Sequence, residues 1–150
     1  YDIEKKVRAR GFPADRVELL GPQPPAALRD LIEDSAVLVL PSRSEGMGRV
    51  LLEAALLGRP RIGSTVGGIP YVIEHGVDGL IFESGNAEAL ADALRQLMGS
   101  PETARTMGEQ ARARALRDFT REAFLARYRK LIAPDTEDSA APPGSQAAGH

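Results

Sequence analysis

The stretch AVLVLPSRSEGMGRVLLEAALLGRPRIGS, Ala36 to Ser64, carries the three-part pattern that decides the fold. Its first seven residues, Ala36 to Ser42, form a continuous apolar run of strand length that stops at a proline. Such a run suits a strand covered on both faces, as in a parallel sheet. An apolar helical segment starts near Gly48 or Arg49 and ends at Gly58, where a glycine can close a helix. "PRIGS" (Pro60 to Ser64) is a second strand. Strand, helix and strand in this order predict a parallel crossover unit, since parallel neighbours require such a connection.

The pattern continues on both sides. Downstream, "TVGGIPYVIEHG" supplies a glycine turn and a short helix, "GLIFE" (Gly79 to Glu83) a third strand, and Gly85-Asn86 a turn. "NAEALADALRQLMG" is amphipathic, with Leu90, Leu94 and Leu97 in helical register. Two more helices are predicted, from Pro101 to Arg117 and from Thr120 to Ile132. Upstream, Pro24 and Pro25 open a helix through Asp34, with Leu28, Leu31 and Ile32 on its buried side. "RVELLG" (Arg16 to Gly21) is a strand candidate. Before it, Ile3, Val7 and Phe12 share one helical face, stopped at Gly11. The prediction is an α/β fold with a Rossmann-like open parallel sheet and right-handed crossovers, in which ligands sit beyond the carboxyl ends of the strands.

Composition narrows the function. The chain has 150 residues, 43% of them hydrophobic, and a net charge of −2, so it suits one domain with a real core. Acidic residues outnumber basic ones 21 to 19 and the arginines are spread out, which argues against a nucleic-acid partner. Without cysteine there is no disulfide or thiolate metal site, and two histidines, His75 and His150, do not build a histidine metal centre. No run reaches the ~20 apolar residues of a membrane span and no signal-peptide pattern opens the chain, so a cytoplasmic protein is expected.

Within the helix after the first strand, Val50, Glu53 and Leu57 form one row, which places a carboxylate among apolar neighbours. A buried carboxylate needs hydrogen-bond donors. Gly46 and Gly48 let the backbone approach a ligand closely, and the amides of Arg49 and Val50 open a helix whose positive end suits a phosphate. Glu53 would then accept hydrogen bonds from ribose hydroxyls, and Glu45 from a polyhydroxyl group such as a sugar. A glutamate near a helix start also complements the dipole with no ligand at all. Glu45 also reads as a solvated loop residue, and both glutamates have arginines, Arg43 and Arg59, near in sequence. Spacing alone does not choose.

The longer stretch VLPSRSEGMGRVLLEAALLGRPRIGSTVGGIPYVIEHGVDGLIFESGNAEALADAL closely resembles the nucleotide-sugar-binding domain of family 4 (group 1) retaining glycosyltransferases, which have the GT-B fold. The signature is one glutamate, seven residues and a second glutamate, here Glu45 and Glu53, followed by "GRP" and "VGGIP". The similarity runs from about Arg16 to Ile132. It implies that Glu53 holds the ribose hydroxyls and that Glu45 contacts the donor sugar, stabilises charge at its anomeric carbon and is the catalytic position. It further implies that Gly46, Met47 and Gly48 reach the sugar and diphosphate through their amides, with Arg49 and Val50 at the helix start.

By the same resemblance the enzyme is a retaining transferase that takes a nucleoside-diphosphate sugar as donor substrate and needs no cofactor or divalent metal. Met47 stands where phenylalanine is frequent, and Tyr71 where a glutamate is usual; no role is assigned at 71. Gly67-Gly68 reads as a tight strand-to-helix turn, ahead of the other reading in which these glycines approach the ligand, and His75 as a turn or surface residue. The family's N-terminal acceptor-binding domain and basic diphosphate clamp have no counterpart in the sequence. Residues 1–132 are therefore expected to be an incomplete donor-binding domain truncated at its N-terminus, inactive alone, and 133–150 a disordered tail. The complete enzyme would pair this part with an acceptor domain, with peripheral membrane association left open. A non-catalytic module that binds a nucleotide or sugar phosphate is the alternative.

Overall fold

The computed structural model describes residues 3–132. The tail expected to be disordered lies outside them. Helix α1 (Ile3–Ala9) and a 3-10 turn (Ala14–Arg16) precede α2 (Pro25–Asp34), β1 (Leu38–Leu40) and α3 (Arg49–Leu56). Then follow β2 (Arg61–Ser64), α4 (Ile69–Val72), β3 (Leu80–Phe82), α5 (Ala87–Gly99), α6 (Pro101–Asp118) and α7 (Arg121–Ile132). The three strands form one parallel sheet in the order β1-β2-β3, with Val39 opposite Ile62 and Gly63 opposite Ile81.

The alternation of side chains along the strands divides the core into two layers. On one face Ile62, Leu80 and Phe82 pack against Leu97 of α5 and Met107 of α6, with Leu90 and Leu94 alongside. On the other, Leu38, Leu40 and Ile81 meet Leu51 of α3 and Ile69, Val72 and Ile73 around α4. A third cluster is made of alanines: Ala55 of α3 against Ala111 and Ala115 of α6, which brings these two helices close together. Asn86 caps α5, its Oδ1 accepting from Ala89 N–H at 2.9 Å, a cap of the kind that contributes about 1 kcal/mol.

A charge network lies beneath the second layer, sealed at Arg61 and Asp78 and half-buried at Arg114. Arg61 at the start of β2 and Asp78 before β3 are both 1% exposed. The Arg61 guanidinium donates to the carbonyls of Leu51, Val72 and Asp78 and pairs with Asp78 Oδ1 at 2.9 Å. Arg114 of α6 takes Asp78 Oδ2 at 2.9 Å and donates to the Tyr71 carbonyl. Burial pushes the Arg61 guanidinium below its ordinary pKa, and Asp78 opposes that shift. Arginine nonetheless stays charged, so the network holds two cations around one buried carboxylate, with Asp118 Oδ2 a further 3.8 Å partner of Arg114 on its more exposed side.

Some expectations require correction. Residues 16–21 do not form a strand: Arg16 belongs to the 3-10 turn, and the residues after it pair with no strand. A strand persists through ladder hydrogen bonds, and no described strand lies beside this segment; Leu19 and Leu20 stay 49% and 42% exposed. Of the α2 stripe Ile32 is buried and Leu28 half-buried, but Leu31 is exposed. Ile3 and Phe12 are also exposed rather than packed. β1 is shorter than Ala36–Ser42 and only half-buried, because it lies at the sheet edge with a single partner strand.

Candidate functional site

The predicted site residues gather where the strand ends and helix starts place them. Residues 41–48 leave the carboxyl end of β1 as an irregular loop, and Gly48 closes it in the left-handed region at φ 70°, capping α3 with backbone alone. A side chain there would meet Leu40, Leu51 and Ile69 as well as an unfavourable φ, so glycine is required. The first amides of α3 have no acceptor within their own helix, as at any helix start. Gly46 and Met47 are exposed, Gly48 is buried, the Arg49 side chain is exposed and Val50 is half-buried.

Glu45 is half-buried. Its Oε1 accepts from the Gly46 N–H at 3.1 Å, and its Oε2 lies 3.5 Å from Ser42 Oγ, the outer limit of a hydrogen bond. The neighbouring amide, one of those expected to reach a ligand, is thus held by the carboxylate itself. Neither glutamate pairs with Arg43 or Arg59.

Glu53 departs from the expectation of a buried carboxylate. It is half-buried and faces a cleft of about 510 Å³ between α2 and α3, lined also by Gln23, Leu28, Ile32, Arg49 and Leu57. The row geometry correctly predicted apolar neighbours. It did not show that α2 stands off far enough to leave an open cleft over them. Among the described residues the Glu53 carboxylate has no hydrogen-bond or ion-pair partner. Arg49 joins this cleft to the Gly46–Gly48 loop; Glu45, Gly46, Met47 and Gly48 do not line it. Met47, where the resemblance places a frequent phenylalanine, is 55% exposed.

Reasoning from the sequence passed over the hydroxyls at the strand ends. Ser64 Oγ donates to the Ser42 carbonyl at 2.7 Å and Ser84 Oγ to the same oxygen at 3.3 Å, while Ser84 N–H donates to Thr65 Oγ1 at 3.2 Å. Their common position just beyond the apolar runs was the available signal. His75 is exposed, and its Nδ1 accepts from Ile81 N–H at 2.9 Å, a turn role as expected. Tyr71 is 78% exposed. A second cavity, of about 420 Å³, opens at the amino ends of the strands near Val37, Pro60 and Leu97, away from these residues.

Comparison with known proteins places this arrangement. The chain is 41% identical over 117 residues to the N-acetyl-alpha-D-glucosaminyl L-malate synthase of Bacillus anthracis, an alignment covering 78% of the chain and 30% of that protein. The chain therefore spans under a third of the length of the curated relatives it matches. Among solved structures, the sucrose-phosphate synthase of Thermosynechococcus elongatus superposes with a TM-score of 0.78 at 33% identity, covering 88% of this chain and 34% of that one. The Anabaena protein HepE, solved in complex with UDP, shares the fold at a TM-score of 0.78 and 24% identity, covering 88% and 36%. These neighbours are GT-B enzymes, and the α/β parallel sheet described above is part of that fold. A family model for "Glycosyl transferases group 1" matches residues 3–114, and the chain belongs to that family.

Proposed function

We propose that this chain supplies the donor-binding part, residues 1–132, of a glycosyltransferase that moves a sugar from a nucleoside diphosphate to an acceptor with retention of configuration. The observation that carries this reading is Glu53: an ionisable side chain with no partner among the described residues, facing an open cleft one turn behind a helix start. A carboxylate is acceptor-only, and vicinal ribose hydroxyls are donors of matching spacing. The amides of Gly46 to Val50 would face the diphosphate, where fixed dipoles offset the charge that grows on the leaving group, so the reading needs no metal or other cofactor. Glu45, on the loop beyond, would lie at the sugar and favour positive charge at its anomeric carbon.

In the transfer the bond from the anomeric carbon to the diphosphate oxygen breaks, with its electron pair leaving on the diphosphate. The acceptor oxygen bonds to the same face of the sugar, and its proton passes to the departing diphosphate. The acceptor side belongs to a further domain, and the chain alone would be catalytically inert. The UDP found in HepE makes uridine the first base to test. The setting proposed is cytoplasmic; no described helix is long and apolar enough to cross a membrane.

The test is saturation-transfer NMR on the chain, without metal, against UDP, GDP, ADP and their sugar conjugates. Ribose-proton signals are expected from one nucleotide. Hydrogen bonds to a charged group contribute about 1.5–3 kcal/mol, so Glu53→Ala should weaken that binding roughly tenfold to a hundredfold. No ribose signal from any nucleotide, with the chain shown to be folded, would overturn the donor-site reading. Nucleotide binding by the chain, combined with no transfer by the complete protein, would instead favour the binding module.

A further inference from the structure

Gly67, at φ 55°, makes the turn into α4 that the sequence suggests. Turn geometry does not account for what the two glycines touch. A Cβ added at Gly67 would meet the Glu45 carbonyl oxygen, and one at Gly68 the Gly46 carbonyl oxygen, both well inside 3.0 Å. Gly68 N–H also donates to that Gly46 oxygen at 2.7 Å. The turn after β2 is thus pressed, backbone to backbone, against the loop that carries Glu45.

The same loop is held at its start. The Ser42 carbonyl accepts from Ser64 Oγ and Ser84 Oγ, so hydroxyls from the last residue of β2 and from just beyond β3 both anchor the segment leaving β1. Ser64 is fully buried. Between these two anchors Glu45 has little of its own to hold it, since among the described residues its carboxylate's hydrogen-bond partners are its neighbour's amide and, at 3.5 Å, Ser42 Oγ. Glu53 is differently supported: it rides on α3, which Leu51, Ala54 and Ala55 seat at 0% exposure.

We propose that Gly67 and Gly68, together with Ser64 and Ser84, are positioning residues that act through the backbone of residues 42–47 to set where the Glu45 carboxylate stands at the sugar end of the site. The inference rests on the donor-site reading and adds a division of labour to it. The nucleoside end is carried by α3. The sugar end is carried by a loop whose place is dictated by the ends of β2 and β3. A turn that served packing alone would, when damaged, weaken both ends together.

The experiment uses the chain with UDP-glucose, GDP-mannose and ADP-glucose, taking whichever gives ribose signals with the unaltered sequence. Saturation transfer is then compared at the ribose and at the sugar anomeric proton. Gly67→Ala, shown to be folded by its amide spectrum, should keep the ribose signal within about twofold and lose at least threefold at the anomeric proton. Ser64→Ala, a milder change that leaves both turns intact, should lower the same ratio in the same direction and serves where Gly67→Ala fails to fold. An unchanged ratio in the folded variants, or an equal loss at both protons, would overturn the inference while leaving the donor site standing. Absence of ribose signals with the unaltered chain would overturn the donor-site reading, and this inference with it.

Discussion

Asp78→Ala is expected to lower the unfolding free energy by about 3–5 kcal/mol, the usual range when one member of a buried ion pair is removed. Asp78 is the buried anion between two guanidinium groups: Arg61, 1% exposed, at 2.9 Å from one oxygen, and Arg114 at 2.9 Å from the other. Its carboxylate also accepts from Glu74 N–H at 2.8 Å. Removing it strands the Arg61 charge away from water and leaves a backbone donor without its acceptor. The carbonyls of Leu51, Val72 and residue 78 remain, but they solvate a cation without neutralising it. Since small domains hold about 5–15 kcal/mol in total, the variant should sit near the edge of folding. Urea titration followed by circular dichroism measures the loss, and a loss below about 1 kcal/mol would show that water or a shifted side chain replaces the carboxylate. Asp78→Asn, which keeps an acceptor for Glu74, should fall between the two proteins.

Gly108→Ala should be destabilising even though intrinsic propensity argues the opposite. In an open helix interior, alanine is better than glycine by about 1 kcal/mol. Gly108, however, sits where α6 lies over the end of α3, and a Cβ there would strike the Gly58 carbonyl group well inside 3.0 Å. The obstacle is backbone, so no rotamer change relieves it; the helices must separate, and the Ala55, Ala111 and Ala115 contacts must loosen with them. Overpacking of this kind costs about 1–3 kcal/mol, which outweighs the propensity gain. Gly99→Ala is the internal control: at the end of α5 nothing lies within 4 Å of the added carbon, and that variant should be neutral or slightly more stable. Thermal unfolding of the pair decides the matter. If Gly108→Ala matched Gly99→Ala, the close approach of α3 and α6 would be wrong.

The first strand was legible because a doubly covered parallel strand is written as a short unbroken apolar run, as in residues 36–42, and the strands at 60–64 and 79–83 followed it in the alternation of strand and helix. Their extents were less so, since pairing rather than hydrophobicity ends a ladder, and β1 keeps only Leu38–Leu40. Arg16 to Gly21 has the composition of a strand but no described neighbour to pair with, which no local pattern discloses. Glu53 was found through helical spacing, yet its half-exposed state depends on how far α2 stands from α3. The arginines read as scattered composition; Arg61 and Arg114 acquire meaning only through Asp78, 17 and 36 positions away. The strand-end serines and the contact of Gly67 with Glu45 were hidden for the same reason, being products of topology.

Those separations bear on how the molecule comes apart. Arg114 and Asp78 meet only after 36 residues of chain have been brought into place, and that ordering is spent before the ion pair returns anything. Neighbouring strand-helix-strand units can assemble without it. The network's stabilisation should accordingly be absent from the folding transition state and appear almost wholly as a slower unfolding rate. The ion-pair network would then act as a latch on the finished domain, setting how long it stays closed and leaving the speed at which it first closes nearly untouched.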